Sequence, residues 1–151
     1  MHTPILLAVE ARTEQQAIEQ AEYFNEHNTH WSDWSELGGR YLNEVGGTGV
    51  FRYSDDPEKF ETLVARFKLA TSIGKDSYME KVGEVTVSEL VRGDDYTRWM
   101  ARKLLDVVSE DFTPDQHFYD IVEYCANEVA LKERITKNPD EQFIIIWDYH
   151  Y

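Results

Sequence analysis

The residues best suited to chemistry lie in one stretch, His30-Trp31-Ser32-Asp33-Trp34-Ser35-Glu36-Leu37-Gly38-Gly39-Arg40-Tyr41, which holds two of the four tryptophans. Gly38 and Gly39 permit positive φ and a close backbone approach. Such a turn would aim Arg40 and direct backbone N–H groups toward an anion. Arg40 can pair in bidentate fashion with carboxylate or phosphate, and Trp34 or Tyr41 can stack on a base, a ring or a guanidinium. The Lys-Ser/Thr ending of a P-loop is absent, as is the G-x-G-x-x-G spacing of a dinucleotide turn. The same residues admit a scaffold reading, in which Trp31 and Trp34 plug the core and Arg40 pairs with Asp33 or Glu36. Functional residues gather on loops held by a rigid scaffold, so a function is expected here.

A second candidate is Asp148 with His150. Two apart on a strand, they share a face. With His30 and Asp33 they would make a set of two histidines and two carboxylates, a donor type that suits zinc, iron or manganese. No spacing places the two segments side by side, so no metal or other cofactor is assigned. His2, His27 and His117 have no partner at a recognisable spacing. Covalent catalysis finds no Gly-x-Ser-x-Gly elbow and no His-Glu-x-x-His. The paired carboxylates Asp55-Asp56, Asp94-Asp95 and Glu110-Asp111 sit at expected helix termini, where dipole complementarity and capping explain the first two. The single Cys125 falls on an expected apolar helical face and reads as a buried structural thiol.

The elements that must position these residues follow from periodicity. Pro4 to Val9 reads as a buried strand. Thr13-Glu14-Gln15-Gln16 has a capping-box pattern, and Ala17, Ala21 and Phe24 continue a helix to about His27. Val50-Phe51-Arg52-Tyr53 is an expected strand. Asp56-Pro57 opens a second helix, with Pro at its first position and Phe60, Leu63, Val64 and Phe67 on one stripe. Val85-Thr86-Val87 suggests a short strand, Ser88 to Val91 a helical turn closed by Gly93, and Asp95 to Val108 a third helix. Thr113-Pro114-Asp115-Gln116 has a helix-start pattern, with Phe118, Ile121, Val122, Cys125 and Val129 predicting a fourth helix to about Ile135. Phe143 to Tyr151 predicts a central strand buried on both faces at its start. Its end places Asp148 and His150 on one face and Trp147, Tyr149 and Tyr151 on the other. The expectation is a single α+β domain over residues 1–151, with a small mixed or antiparallel sheet and about four helices mainly on one face.

Fifteen Lys and Arg against twenty-nine Asp and Glu give a net charge of −14. The surplus is −5 over residues 1–75 and −9 over residues 76–151. Such a surface disfavours direct nucleic-acid binding, which relies on neutralising phosphates with Lys and Arg. It complements a basic protein groove instead, or serves solubility alone. No apolar run approaches the roughly 20 residues of a membrane span, and Ile5 to Val9 is too short for a signal-peptide core. A cytoplasmic location is expected, with no membrane partner.

Asp33, Trp34, Leu37, Gly38, Gly39, Arg40 and Tyr41, followed by Asp148 and His150, resemble a set of small phage and prophage proteins. Those carry a Trp-Asp-Trp-x-x-(Ile/Leu)-Gly-Gly-Arg-(Trp/Tyr) stretch and end near an Asp-x-His. Ser32 stands where their first Trp is usual, with Trp31 one residue earlier. The resemblance implies a mobile-element origin and that loop and tail belong to one site; it implies no activity. The leading expectation is a non-enzymatic acidic binding protein that engages, and inhibits, a host nucleic-acid-handling protein with a basic surface. Its contact residues would be Trp31, Asp33, Trp34, Gly38, Gly39, Arg40, Tyr41, Asp148 and His150. The alternative is a small nucleotide- or anion-binding domain, or a metal-assisted hydrolase, using Arg40, Trp34, Asp148 and His150. A phage assembly component acting by self-association is a third.

Overall fold

The computed structural model describes all residues from Met1 to Tyr151. The apolar run near the C-terminus forms β5 (Gln142–His150), which pairs antiparallel with β1 (His2–Glu10) along its whole length, from His2 opposite His150 to Glu10 opposite Gln142. On its other side β5 pairs antiparallel with β2 (Trp34–Leu37) near its C-terminal end and with β3 (Val50–Arg52) near its start. β4 (Phe118–Asp120) lies parallel to the far side of β1. The result is a five-stranded mixed sheet, ordered β2-β5-β1-β4 with β3 also on β5.

Both central strands carry apolar side chains on both faces, so each face needs a cover. On one, Ile5, Leu7, Val9, Ile145, Trp147 and Tyr149 pack under Ala17, Ala21 and Phe24 of α1 (Glu14–Asn28). On the other, Leu6, Ala8, Ile144 and Ile146 pack under Phe60, Leu63, Val64 and Phe67 of α3 (Pro57–Gly83), joined by Val45 of α2 (Leu42–Val45) and Leu131 of α6 (Val129–Lys137). Thr13 caps α1 by accepting the Gln16 N–H at 3.2 Å, and Asp56 caps α3 by accepting the Lys59 N–H at 3.0 Å. α4 (Val87–Arg92) and α5 (Asp95–Val108) follow α3, and α5 packs along it. No helix is long and apolar enough to cross a membrane.

The expectation of about four helices is therefore corrected: there are six, of which α1 covers one face of the sheet and α2, α3 and α6 cover the other. The two helices beyond the expected four are α2, which has no counterpart among the sequence-based expectations, and α4, expected there as a single turn. Three local features also differ. The second helix runs on to Gly83, tolerating Gly74, whose surroundings are open. Thr86 belongs to no strand; its hydroxyl accepts the Glu89 N–H and Glu89 reaches back to the Thr86 N–H, a capping box that starts α4. Residues 113–135 are not one helix. Phe118, Tyr119 and Asp120 are drawn into the sheet, and Tyr124, at φ 53, turns the chain before α6. Cys125 accordingly lies off any helix, half-buried, its backbone bridged to Asp120.

Candidate functional site

The loop and the tail meet. β2 emerges from the loop and pairs with the last four residues of β5, with Trp34 opposite His150 and Glu36 opposite Asp148. Antiparallel partners share a face, so Trp34, Glu36, Asp148 and His150 stand together with His2, which is opposite His150 on β1.

Asp148 is the pivot. It is fully buried, and a buried carboxylate is tolerated only with partners that satisfy its charge and lone pairs. Its Oδ2 accepts the Arg40 backbone N–H at 3.2 Å, and both oxygens face His2 Nδ1 at 3.1 and 3.2 Å. The glycine pair exists to allow this. Gly39 sits at φ +47, and a Cβ there would lie 2.5 Å from both the Cβ and the Oδ2 of Asp148. Gly38, at φ +68, has the Leu42 side chain where its own Cβ would be. The Gly-Gly turn thus wraps the backbone of the short 3₁₀ turn at Gly39–Tyr41 onto the tail carboxylate.

A second imidazole–carboxylate pair lies outside the first. His150 Nδ1 is 2.7 Å from Asp33 Oδ1, and that bond holds the Asp33 carboxyl below the usual carboxylate range. The two imidazoles touch edge to face, with centroids 4.8 Å apart, and Trp34 meets the His2 ring edge-on at 5.6 Å. In both histidines Nδ1 faces a carboxylate, which leaves Nε2 without a protein partner. A carboxylate fixing one ring nitrogen is the arrangement that sets a tautomer and frees the other nitrogen to exchange a proton.

The remaining candidates separate. Trp34 is 44% exposed. The exposed Arg40 side chain forms no ion pair within 4.0 Å, so the expected link to Asp33 or Glu36 is absent, and the guanidinium remains available. Tyr41 is half-buried against the α3-side core, and burial, then the Asp148 carboxylate, raises its phenol pKa. Trp31 points to the opposite face of the sheet, where it packs against Tyr149, Phe112 and Tyr151 at 5.1 to 5.9 Å. It is a core plug, as is Trp147. His30 is exposed and takes no part. His2 is the residue that local spacing missed. Centring the apolar runs Ile5 to Val9 and Phe143 to Trp147 on each other would have placed it opposite His150.

Comparison with known proteins found no match, whether to protein families, curated proteins or solved structures. What the site can do rests on its own geometry.

No group of three or more His, Cys, Asp or Glu side chains is arranged to hold a metal ion. None of the five principal cavities is lined by His2, Asp148 or His150. The cluster combines a buried carboxylate, two imidazoles and an indole, and Arg40, whose backbone N–H bonds the same carboxylate, has an unpaired guanidinium.

Proposed function

We propose that this face is a recognition site for a small ligand, or an exposed group of a larger one, that carries an anion next to a flat ring, as a nucleotide does. The observation that carries the reading is the convergence of two imidazole–carboxylate pairs, centred on the buried Asp148, beside the unpaired Arg40 and the exposed Trp34. Arg40 would take the anion in a bidentate hold, and Trp34 would stack on the ring. Protonated His2 or His150 would donate from the free Nε2. The role is binding, with proton exchange at those nitrogens as its only chemistry, since no nucleophile or metal set accompanies them. Thermal unfolding with AMP, adenosine and inorganic phosphate tests it. AMP raises the midpoint in the wild type but not in Arg40→Ala, and adenosine alone has a smaller effect. No stabilisation by any of the three removes the reading.

A second reading is an acidic protein-binding role against a host nucleic-acid-handling protein, consistent with the resemblance to phage proteins. The observation favouring it is separate from the site. Tyr96 and Trp99 stack at 6.0 Å on the exposed side of α5, directly after Asp94 and Asp95, in a chain of net charge −14. Asp94 and Asp95 precede the pair and Lys103 Nζ lies 6.0 Å from the Trp99 ring; exposed aromatics on a chain of this net charge suit a partner with a basic rim. Capture of a host protein that is released by moderate salt, and lost in Trp99→Ala, would support this reading; capture unaffected by either change would not.

A further inference from the structure

The largest of the principal cavities, about 630 Å³, lies on the α1 side of the sheet. It is lined by Glu10 of β1, by Glu19, Tyr23 and Phe24 of α1, and by Val122 and Tyr124 of the turn that follows β4. Three aromatic rings and two carboxylates thus share one cavity, and no Lys or Arg lines it. Such a set suits a cation, because ring faces attract positive charge and the carboxylates add to that attraction.

The two outer rings are held in place without being buried. Phe24 is buried, and the Tyr124 ring meets it with centroids 6.0 Å apart. Tyr23 and Tyr124 are instead 64% and 66% exposed. His27 packs against the Tyr23 ring at 4.2 Å, and its Nδ1 lies 2.7 Å from the Tyr23 carbonyl oxygen. Tyr124 occupies a left-handed backbone position, φ 53, where a Cβ is strained and glycine is not. Its turn is fixed from below. Asp120 and Cys125 exchange backbone hydrogen bonds at 2.8 and 3.2 Å, and the Asp120 carboxylate accepts the Val122 and Glu123 N–H groups at 3.0 and 3.4 Å. Glycine would close this turn with less strain, yet the chain carries a tyrosine whose ring stays mostly in solvent. Backbone strain of this kind gathers at ligand sites.

The carboxylates narrow the class of cation. Glu10 already has Arg134 Nε at 3.4 Å, and that arginine also holds the buried Asp120 at 2.7 Å. Glu19 already accepts from the Gln15 amide at 2.9 Å. Both therefore contribute charge more readily than further hydrogen bonds, which favours a cation without N–H donors. A bare ammonium is strongly hydrated, whereas a methylated one presents C–H surface to the rings. We propose that this cavity binds a trimethylammonium group, as carried by choline or by a methylated lysine side chain. The site shares no residue with the His2–Asp148 face and is independent of it.

Nuclear magnetic resonance on the full chain with ¹³C-labelled aromatic rings tests it, following Tyr23, Phe24 and Tyr124. The probes are choline, the amide of acetylated trimethyllysine, and the neutral isostere of choline in which carbon replaces nitrogen. Both cations shift the three rings saturably, and the neutral isostere binds about fivefold or more weakly. Tyr124→Gly relieves the left-handed backbone and keeps the fold by circular dichroism, yet weakens both cations about fivefold or more. Tyr23→Leu, at an exposed helical position, has the same effect. Tighter binding of choline assigns the site to a free small cation, and tighter binding of the lysine derivative assigns it to a modified side chain. Unmoved rings with every probe would overturn the proposal. So would equal affinity for the neutral isostere, or unchanged affinity in both variants.

Discussion

Replacing Gly39 by alanine tests whether the loop is built around the tail carboxylate. Two costs add. A Cβ in the left-handed region costs about 1–2 kcal/mol. The new methyl would also sit 2.5 Å from Asp148 Cβ and Oδ2. Asp148 is fully buried, so it has nowhere to retreat, and overpacking of this kind costs about 1–3 kcal/mol. Displacement of its carboxylate would weaken the bond from the Arg40 N–H. Gly47 provides the control, because it shares the positive φ, at +72, but a Cβ there meets only Phe51 Cε1 at an ordinary 3.7 Å. Gly47→Ala should thus cost about 1–2 kcal/mol, and Gly39→Ala about 2–5 kcal/mol. Urea unfolding reads the difference directly. In thermal scans followed by circular dichroism each kcal/mol is worth about 2–4 °C for a chain of this size. Equal destabilisation by the two substitutions would refute the reasoning, since the clash with Asp148 is all that separates them.

Three further outcomes follow from buried polar groups. Arg134→Met should cost about 3–5 kcal/mol in urea unfolding, because Arg134 Nη2 lies 2.7 Å from Asp120 Oδ2 and Asp120 is fully buried. Burial already raises the Asp120 pKa more than Arg134 lowers it, so an unpaired Asp120 should take up a proton and the variant should lose less stability at acid pH. Tyr149→Phe leaves Asn25 Oδ1 unpaired in the core, at about 1–3 kcal/mol by the same measurement. Burial lowers the pKa of His117, whose Nδ1 lies 3.3 Å from the Pro4 carbonyl oxygen. The unfolded chain therefore binds that proton first, and the stability His117 contributes is complete above its unfolded pKa of about 6.5 and is lost as pH falls from there through the lower folded pKa. Unfolding free energies compared near neutrality and at mildly acid pH should show a shallower decline in His117→Asn than in the wild type.

The parts of the fold legible in the sequence are those where local signals and packing agree. Thr13 before the Ala17, Ala21 and Phe24 stripe marks α1, and Asp56-Pro57 marks the start of α3. The alternation at the end of β5 correctly separates Asp148 and His150 from Trp147 and Tyr149. Residues 113–135 misled because Thr113-Pro114-Asp115-Gln116 imitates a helix start, whereas Gln116 is buried and its side chain donates to the Val107 carbonyl. Tertiary pairing with β1 then overrides the helical spacing that follows. At the site, the Gly-Gly turn and the Asp-x-His tail were both readable, but their contact was not. That contact depends on the register of β5 against β2 and β1, a non-local quantity, and His2 enters through the same register. Trp31 illustrates the converse: rich in chemistry by type, it is spent on packing.

The central claim is that loop and tail form one anion-recognising face. It is tested most directly by titrating the ¹⁵N-labelled chain with AMP and following the Arg40 guanidinium, the Trp34 indole and the imidazoles of His2 and His150. The account predicts that these four move together and saturate at one affinity, while the Trp31 indole on the opposite face stays in place. Four unmoved signals, or shifts confined to Trp31 and its neighbours, would contradict it.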